Sequence, residues 1–181
     1  TDPEYRHAVI DLGFPAEQDL KTAIESACEE AEAALRDGAT ILVLTDRDIE
    51  KAKLPIPALM ATGAVRHHLT AANLRCDANI VVDTAVARDA HHFACLLGFG
   101  ATAIHPYLAY ESINDLVVCN QIKQGSADEL CLSYRKGINK GLLKIMSKMG
   151  ISTVTSYRGA QLFEIVGLAD EVVDLCFCGT V

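Results

Sequence analysis

Four short apolar runs separated by stretches of helical period constrain this chain more than any other feature. They are His7 to Leu12, Thr40 to Leu44, Ile80 to Val82 and Ala101 to Ile104. Between the first two, Leu20, Ala23, Ile24, Ala27, Cys28, Ala31, Ala34 and Leu35 mark one helical face. Gly38 then stands where a helix C′ glycine belongs. A helical stretch after Pro55 and Pro57 runs through Leu59, Val65 and Leu69 to Leu74, and others cover Asp89 to Leu97 and Pro106 to about Val118. Strands alternating with helices predict βαβ units and a mainly parallel sheet, hence an α/β fold. The unbroken run Thr40-Ile-Leu-Val-Leu44 is the pattern of a parallel strand covered on both faces.

Gln121 to Asp128 is polar, contains Gly125, and predicts a linker. Beyond it, Tyr134, Ile138, Leu142, Ile145 and Met149 recur at steps of three and four, an apolar helical stripe. Lys136, Lys140, Lys144 and Lys148 repeat every four residues on another face, where like charges meet. With Arg135 they give the window 134–148 a charge of +5 with no acid; the chain totals −8, so the remainder carries −13. A solvated basic face near acidic neighbours is the reading the pattern favours. After this helix the sequence predicts a strand from about Ile151, a turn and helix, and a last strand over Val172 to Phe177.

Half of the residues are hydrophobic, enough for a substantial core. The acidic balance argues against nucleic acid or an anionic membrane as the main partner. No apolar run approaches the roughly 20 residues that span a bilayer, and the opening TDPEYR is no signal peptide. Seven cysteines, odd in number and scattered, suit a reduced, cytoplasmic protein. Cys28, Cys95 and Cys119 read as small buried hydrophobes. The polar start at Thr1 and the stop at Val181 just after an apolar run suggest a fragment.

Ligands of open parallel sheets bind beyond the carboxyl ends of strands. Asp46, Asp83 and His105 follow three of the runs and would line such a crevice; capping helices or holding loops is the stronger reading. Gly98-Phe-Gly100-Ala-Thr-Ala103 superficially fits a dinucleotide fingerprint. Its glycines follow a helix instead of opening one, so they read as a C-cap and turn. His91 and Cys95 share a helix face at a legal metal spacing, with no second pair to complete a site. His67 and His68 diverge on their helix. Cys176 and Cys178 would alternate across a strand, which is neither a redox nor a zinc motif.

The stretch from Lys140 through Gly141-Leu142-Leu143-Lys144-Ile145-Met146-Ser147-Lys148-Met149-Gly150-Ile151 to Ser152 is the most specific in the chain. With it go Ser156-Tyr157, Phe163-Glu164 and Val166-Gly167-Leu168. Upstream stand His91-His92-Phe93-Ala94, Gly98-Phe-Gly100-Ala101 and Pro106-Tyr107-Leu108-Ala109. Together these resemble the large subunit of glutamate synthase, most like the bacterial NADPH-dependent form. The resemblance covers nearly the whole chain. It implies that residues 1–125 end the family's central domain and that 126–181 open its FMN-binding (β/α)₈ barrel.

By that resemblance the whole enzyme makes glutamate from glutamine and 2-oxoglutarate, channelling ammonia to an FMN-dependent reduction of 2-iminoglutarate. Its cofactors are FMN and a 3Fe–4S cluster. Its electrons come from an NADPH-oxidising small subunit or from ferredoxin, and its other partners are the remaining domains of the same polypeptide. The resemblance places Met149, Gly150, Ile151 and Ser152 near FMN, Gln161 near the substrate, and Glu164 at the catalytic step. The isolated chain is expected to be inactive, with no complete cofactor site. The alternatives are a noncatalytic α/β scaffold or interdomain packing module, and a small independent enzyme using Asp46, Asp83 and His105.

Overall fold

A computed structural model describes residues 5–48, 52–123 and 125–181. The chain runs through β1 (His7–Asp11), β2 (Gly13–Pro15), α1 (Leu20–Arg36), β3 (Ile41–Thr45), β4 (Lys53–Pro55) and α2 (Ala58–Ala71). It continues through β5 (Asn79–Asp83), α3 (Ala90–Gly98), β6 (Ala103–His105), α4 (Tyr107–Val118), α5 (Ala127–Lys148), α6 (Val154–Tyr157) and α7 (Asp170–Cys176). Strands β1, β3, β5 and β6 form one parallel sheet in that order, and β2 pairs antiparallel with β4. The α/β fold with a mainly parallel sheet is therefore as the sequence predicts. Each parallel connection contains a helix, because the chain must cross the sheet to start the next strand from the same end.

Ile10, Leu42, Leu44, Ile80 and Val82 have no exposed surface and share one core with Ile24 and Ala31 of α1 and Val65 and Leu69 of α2. Each such side chain contributes about 1.5–3 kcal/mol by leaving water. Their neighbours Val9, Val43 and Val81 point to the opposite face, where Val9 is exposed and the other two are half-buried. Among the described residues the sheet is thus fully covered on one face only. The expected double cover of the Thr40–Leu44 run is not present.

Helix α5 begins inside the expected linker. Ser126 accepts from the Glu129 N–H while the Glu129 carboxylate accepts from the Ser126 N–H, a reciprocal cap that starts the helix two residues before the predicted linker ends. Ile138 and Met146 are buried, and Tyr134 anchors the helix by donating to the Arg88 carbonyl at 2.9 Å. Gly141 lets α5 approach α3 closely: a Cβ built there would stand 2.4 Å from the Ala90 Cβ. Lys136, Lys140, Lys144 and Lys148 are all exposed and form no ion pair with another described residue. The stripe is solvated, as the pattern favours, and no acid among the described residues lies within ion-pair distance of it.

The strands expected after α5 are not formed. Gly150, at φ +72°, is the C′ residue of α5: its N–H donates to the Ser147 carbonyl at 3.2 Å, and the Ile151 N–H donates to the Met146 carbonyl at 2.9 Å. Ile151 then packs against the cluster that contains Met146, an apolar contact of the kind that accompanies this motif. The glycine ends a helix instead of starting a strand, and residues 154–157 become the short α6. Val172 to Cys176 lies in α7, whose first turn carries Asp170 and Glu171, acids that suit a helix N-terminus. Its apolar run is short enough to fit either period, and packing on α2 decides the matter. The opening β/α units of a barrel are accordingly absent from the described residues.

Candidate functional site

The carboxyl ends of β3, β5 and β6 bring together the residues expected there, with partners the sequence did not single out. Asp83 lies in register with Thr45 and His105. Its carboxylate accepts from Thr45 Oγ1 at 2.9 Å and Arg47 Nε at 2.6 Å, and His105 Nδ1 stands 2.7 Å away. Burial works to raise the Asp83 carboxyl, but the bonds from Arg47, His105 and Thr45 outweigh it and hold the group below the usual carboxylate range. Asp46 is engaged separately, accepting from Thr84 Oγ1 at 2.5 Å and from the Ala85 N–H at 3.0 Å. Arg47 lies 4.2 Å over the Tyr107 ring, whose hydroxyl donates to the Asp46 carbonyl at 3.3 Å. Burial pushes that phenol up to about 12. These polar groups are spent on one another, which is what holding three loops together requires.

The second candidate region follows α5. Met149, Gly150 and Ser152 are exposed and Ile151 is half-buried. Nothing lies within 4 Å of a Cβ built on Gly150, and Ser152 makes no hydrogen bond within the described residues. Ile151 and Phe163 pack against the same cluster of Ala94, Leu97, Met146 and Tyr157, so α3 supports both the 149–152 turn and the segment near 163. The Tyr157 hydroxyl donates to the Ala94 carbonyl at 3.1 Å beneath that cluster.

From Gln161 to Val166 the chain forms neither helix nor strand, and burial alternates: Gln161, Phe163 and Ile165 are half-buried, while Leu162, Glu164 and Val166 are exposed. Gln161 has φ +52°, and its side-chain amide is fully engaged. It accepts from Arg66 Nη1 at 2.6 Å and donates to the Cys178 carbonyl at 3.1 Å and to Thr180 Oγ1 at 2.8 Å. Glu164, in contrast, has no hydrogen bond or ion pair with a described residue. It stands at a cavity of 260 Å³ lined also by Leu59, His91, Cys95, Phe99 and Phe163. His91 Nε2 lies 3.6 Å from Cys95 Sγ, and no group of three His, Cys, Asp or Glu among the described residues is placed to hold a metal.

A larger cavity, 580 Å³, opens between α1, α2 and α7, lined by Glu25, Glu29, His67, His68 and Asp174 among others. His67 Nε2 is buried there without a partner in the described residues. Burial, and then the nearby Arg66 charge, lower the His67 pKa. His68 is paired instead, 2.6 Å from Glu32. Sequence reasoning missed Arg47 and Arg66. Arg47 was within reach, one residue past Asp46, whereas nothing in the spacing of α2 marks Arg66.

Comparison with known proteins supplies the context for this geometry. Residues 1–169 match the glutamate synthase central domain family. The chain is 41% identical over 182 residues to the NADH glutamate synthase of Schizosaccharomyces pombe, covering 98% of this chain and 9% of that protein. It is 45% identical over 174 residues to the ferredoxin-dependent glutamate synthase of Pyropia yezoensis, covering 90% of this chain and 11% of that one. It is 41% identical over 182 residues to the large chain of the NADPH glutamate synthase of Bacillus subtilis, covering 98% and 12%. The chain thus spans about a tenth of the length of these relatives. A match over the parallel sheet, its helices and the 149–168 stretch alike means that this chain belongs to the glutamate synthase family.

Proposed function

We propose that this chain serves a glutamate synthase as the module that leads into its flavin domain. The whole enzyme would convert glutamine and 2-oxoglutarate to glutamate, channelling ammonia to an FMN-dependent reduction of 2-iminoglutarate. Residues 1–125 belong in this reading to the central domain, and 126–181 form the junction toward the FMN-binding barrel. The central-domain match runs past this division, through α5 to residue 169. The observation that carries the reading is the free Glu164 carboxylate, held outward at a cavity in a chain 41% identical to known glutamate synthases.

Met149, Gly150, Ile151 and Ser152 would approach FMN in the full-length enzyme. The turn suits a flat ligand, because Gly150 offers unobstructed backbone and Ser152 an unused hydroxyl. FMN, when bound, supplies the hydride-transfer chemistry of such an enzyme. The chain's own part is to present the turn on the rigid end of α5 and to hold Glu164 on its outward side. A carboxylate there orients ammonia or ammonium by charge-assisted hydrogen bonding. Gln161 shapes the substrate side by holding this segment. Among the described residues no group of three His, Cys, Asp or Glu is placed to hold a metal, so a 3Fe–4S cluster would need ligands from elsewhere in the enzyme. No helix among the described residues is long and apolar enough to cross a membrane, and the seven free thiols favour a reduced, cytoplasmic setting.

A second reading, a noncatalytic packing module, draws support from the self-satisfied Asp46 and Asp83 groups and from the half-covered sheet. One substitution separates the two. Glu164→Gln in the full-length enzyme should lower glutamine-dependent glutamate synthesis about tenfold or more while flavin content stays full. Unchanged turnover with full flavin would assign Glu164 to structure and leave the packing reading standing. The 181-residue chain alone should make no glutamate.

A further inference from the structure

Arg66, on α2, reaches a segment nearly a hundred residues further along the chain. Its Nη1 donates to Gln161 Oε1 at 2.6 Å and its Nη2 donates to the Gly159 carbonyl at 2.9 Å. Two glycines at positive φ make room for it. A Cβ at Gly100 (φ +112°) would stand 2.3 Å from Arg66 Cδ, and one at Gly159 (φ +73°) would stand 2.9 Å from Nη2. Any larger residue at Gly100 would evict the guanidinium stem. The backbone of the held segment is tied to the end of α3 as well: the Gly159 N–H donates to the Leu97 carbonyl at 3.0 Å and the Gln161 N–H to the Gly98 carbonyl at 3.1 Å.

Beyond this node, Phe163 stacks on Phe99 with centroids 5.8 Å apart, and the Ile165 N–H donates to the Val181 carbonyl at 2.8 Å. The inward residues 161, 163 and 165 are thus each fastened, by a different kind of contact. Because half-buried and exposed residues alternate from 161 to 166, a slip of one residue would exchange the inward and outward sets. Such a slip would bury Glu164 and expose Phe163. Apolar contacts alone resist this weakly, since Leu162 and Val166 are apolar too and would serve as inward residues. The guanidinium fork does not tolerate the exchange: it needs a carbonyl and an amide oxygen two residues apart, which Gly159 and Gln161 supply in one register.

We propose that Arg66 is a positioning residue for Glu164, fixing through Gln161 the register that holds the carboxylate at its cavity. This rests on the role given to Glu164 above. Arg66 touches no reacting group in this scheme; it acts only through the segment it holds.

The test uses Arg66→Met, which keeps the stem and removes the fork, with Arg66→Lys as the conservative variant and Gln161→Met removing the same bond from the other end. In the full-length enzyme, Arg66→Met should lower glutamine-dependent turnover about tenfold or more at full flavin content, because small misplacements of a working group are costly. Arg66→Lys should recover part of that loss. Arg66→Met and Gln161→Met should be non-additive, as expected for two ends of one interaction. Amide exchange in the same variants should speed up at Gly159 and Gln161 while the sheet amides stay protected. Faster exchange with unchanged turnover overturns the proposal and leaves Arg66 a structural clamp. Unchanged exchange overturns it at the geometric step. If Glu164→Gln has no effect while Arg66→Met loosens the segment and lowers turnover, the failure lies in the role given to Glu164, and Arg66 positions some other group of the segment.

Discussion

Gly63 of α2 lies directly against the carbonyl of Cys176 at the end of α7: a Cβ built on Gly63 would stand 2.1 Å from that oxygen. Two helices far apart in sequence meet there backbone to backbone, which fixes α7 as a helix packed on α2.

Gly63→Ala should therefore cost about 1–3 kcal/mol, since the obstructing atom is main chain and cannot swing aside. Gly137, in α5, provides the control, because nothing lies within 4 Å of its built Cβ. Gly137→Ala should add about 0.5–1 kcal/mol through helix propensity. Urea midpoints of the two variants should move in opposite directions.

Asp83→Asn should destabilise the chain by about 1–3 kcal/mol at neutral pH, because its bonds to Thr45 and Arg47 weaken in a buried place. The half-exposed Arg47 limits the share that its charge contributes. The folded carboxyl titrates below its ordinary 3.8, so the contribution is present above that pH and fades as pH falls through the folded value. Wild type and variant should converge in urea stability on going from about pH 6 into strong acid. A gap that persists in acid would show that charge is not involved.

His67 gives a pH dependence in a milder window. Its folded pKa is lowered from 6.5, so the unfolded chain binds a proton that the folded chain resists. Stability from this group is full above 6.5 and is lost as pH falls below it toward the folded value. Glu25, Glu29, His68 and Asp174 line the same cavity, and Arg66 adds the nearby positive charge. His67→Gln should flatten the slope of Tm against pH between about 7 and 5.5, and an unchanged slope would move its source elsewhere.

Thiol chemistry should sort the cysteines by burial. Cys28 is pushed up to about 12, first by burial and then by Cys176 and nearby acids, and burial pushes Cys176 up to about 11. Cys76, Cys119 and Cys178 are exposed, and for Cys119 this corrects the buried position expected from its apolar neighbours. Iodoacetamide at about pH 8 should modify those three in the native chain and spare Cys28 and Cys176, with all seven reacting once the chain is denatured.

Local pattern was enough for the parallel strands and the helices of the first two-thirds of the chain, but not for the short β2–β4 pair or for the one-sided cover of the sheet. The runs around Ile10, Leu44, Val82 and Ile104 became β1, β3, β5 and β6, because each is short, apolar and bounded by turn residues. Gly38 and Gly100 ended α1 and α3 as expected, since only a residue tolerant of positive φ closes a helix that way. The family was legible too, in the stretch from Lys140 to Ser152.

What sequence order left open was decided by contacts between distant residues. Whether Val172 to Phe177 coils or extends depends on α2, which offers a helix-shaped seat at Gly63 and no strand edge. Gly150 reads equally as a strand start or a helix end until the Ile151 N–H finds the Met146 carbonyl. Asp46, Asp83 and His105 were each visible as strand-end residues, but their mutual saturation needed Arg47, Thr45 and Thr84 in place. Arg66 carried no signal at all. By itself the sequence determined the parallel sheet, most of its helices and the family, because those follow from local period and from long identical stretches. Which side of 159–166 faces outward was decided only by the tertiary structure, because the Arg66 partners at Gly159 and Gln161 lie 93 and 95 residues away along the chain.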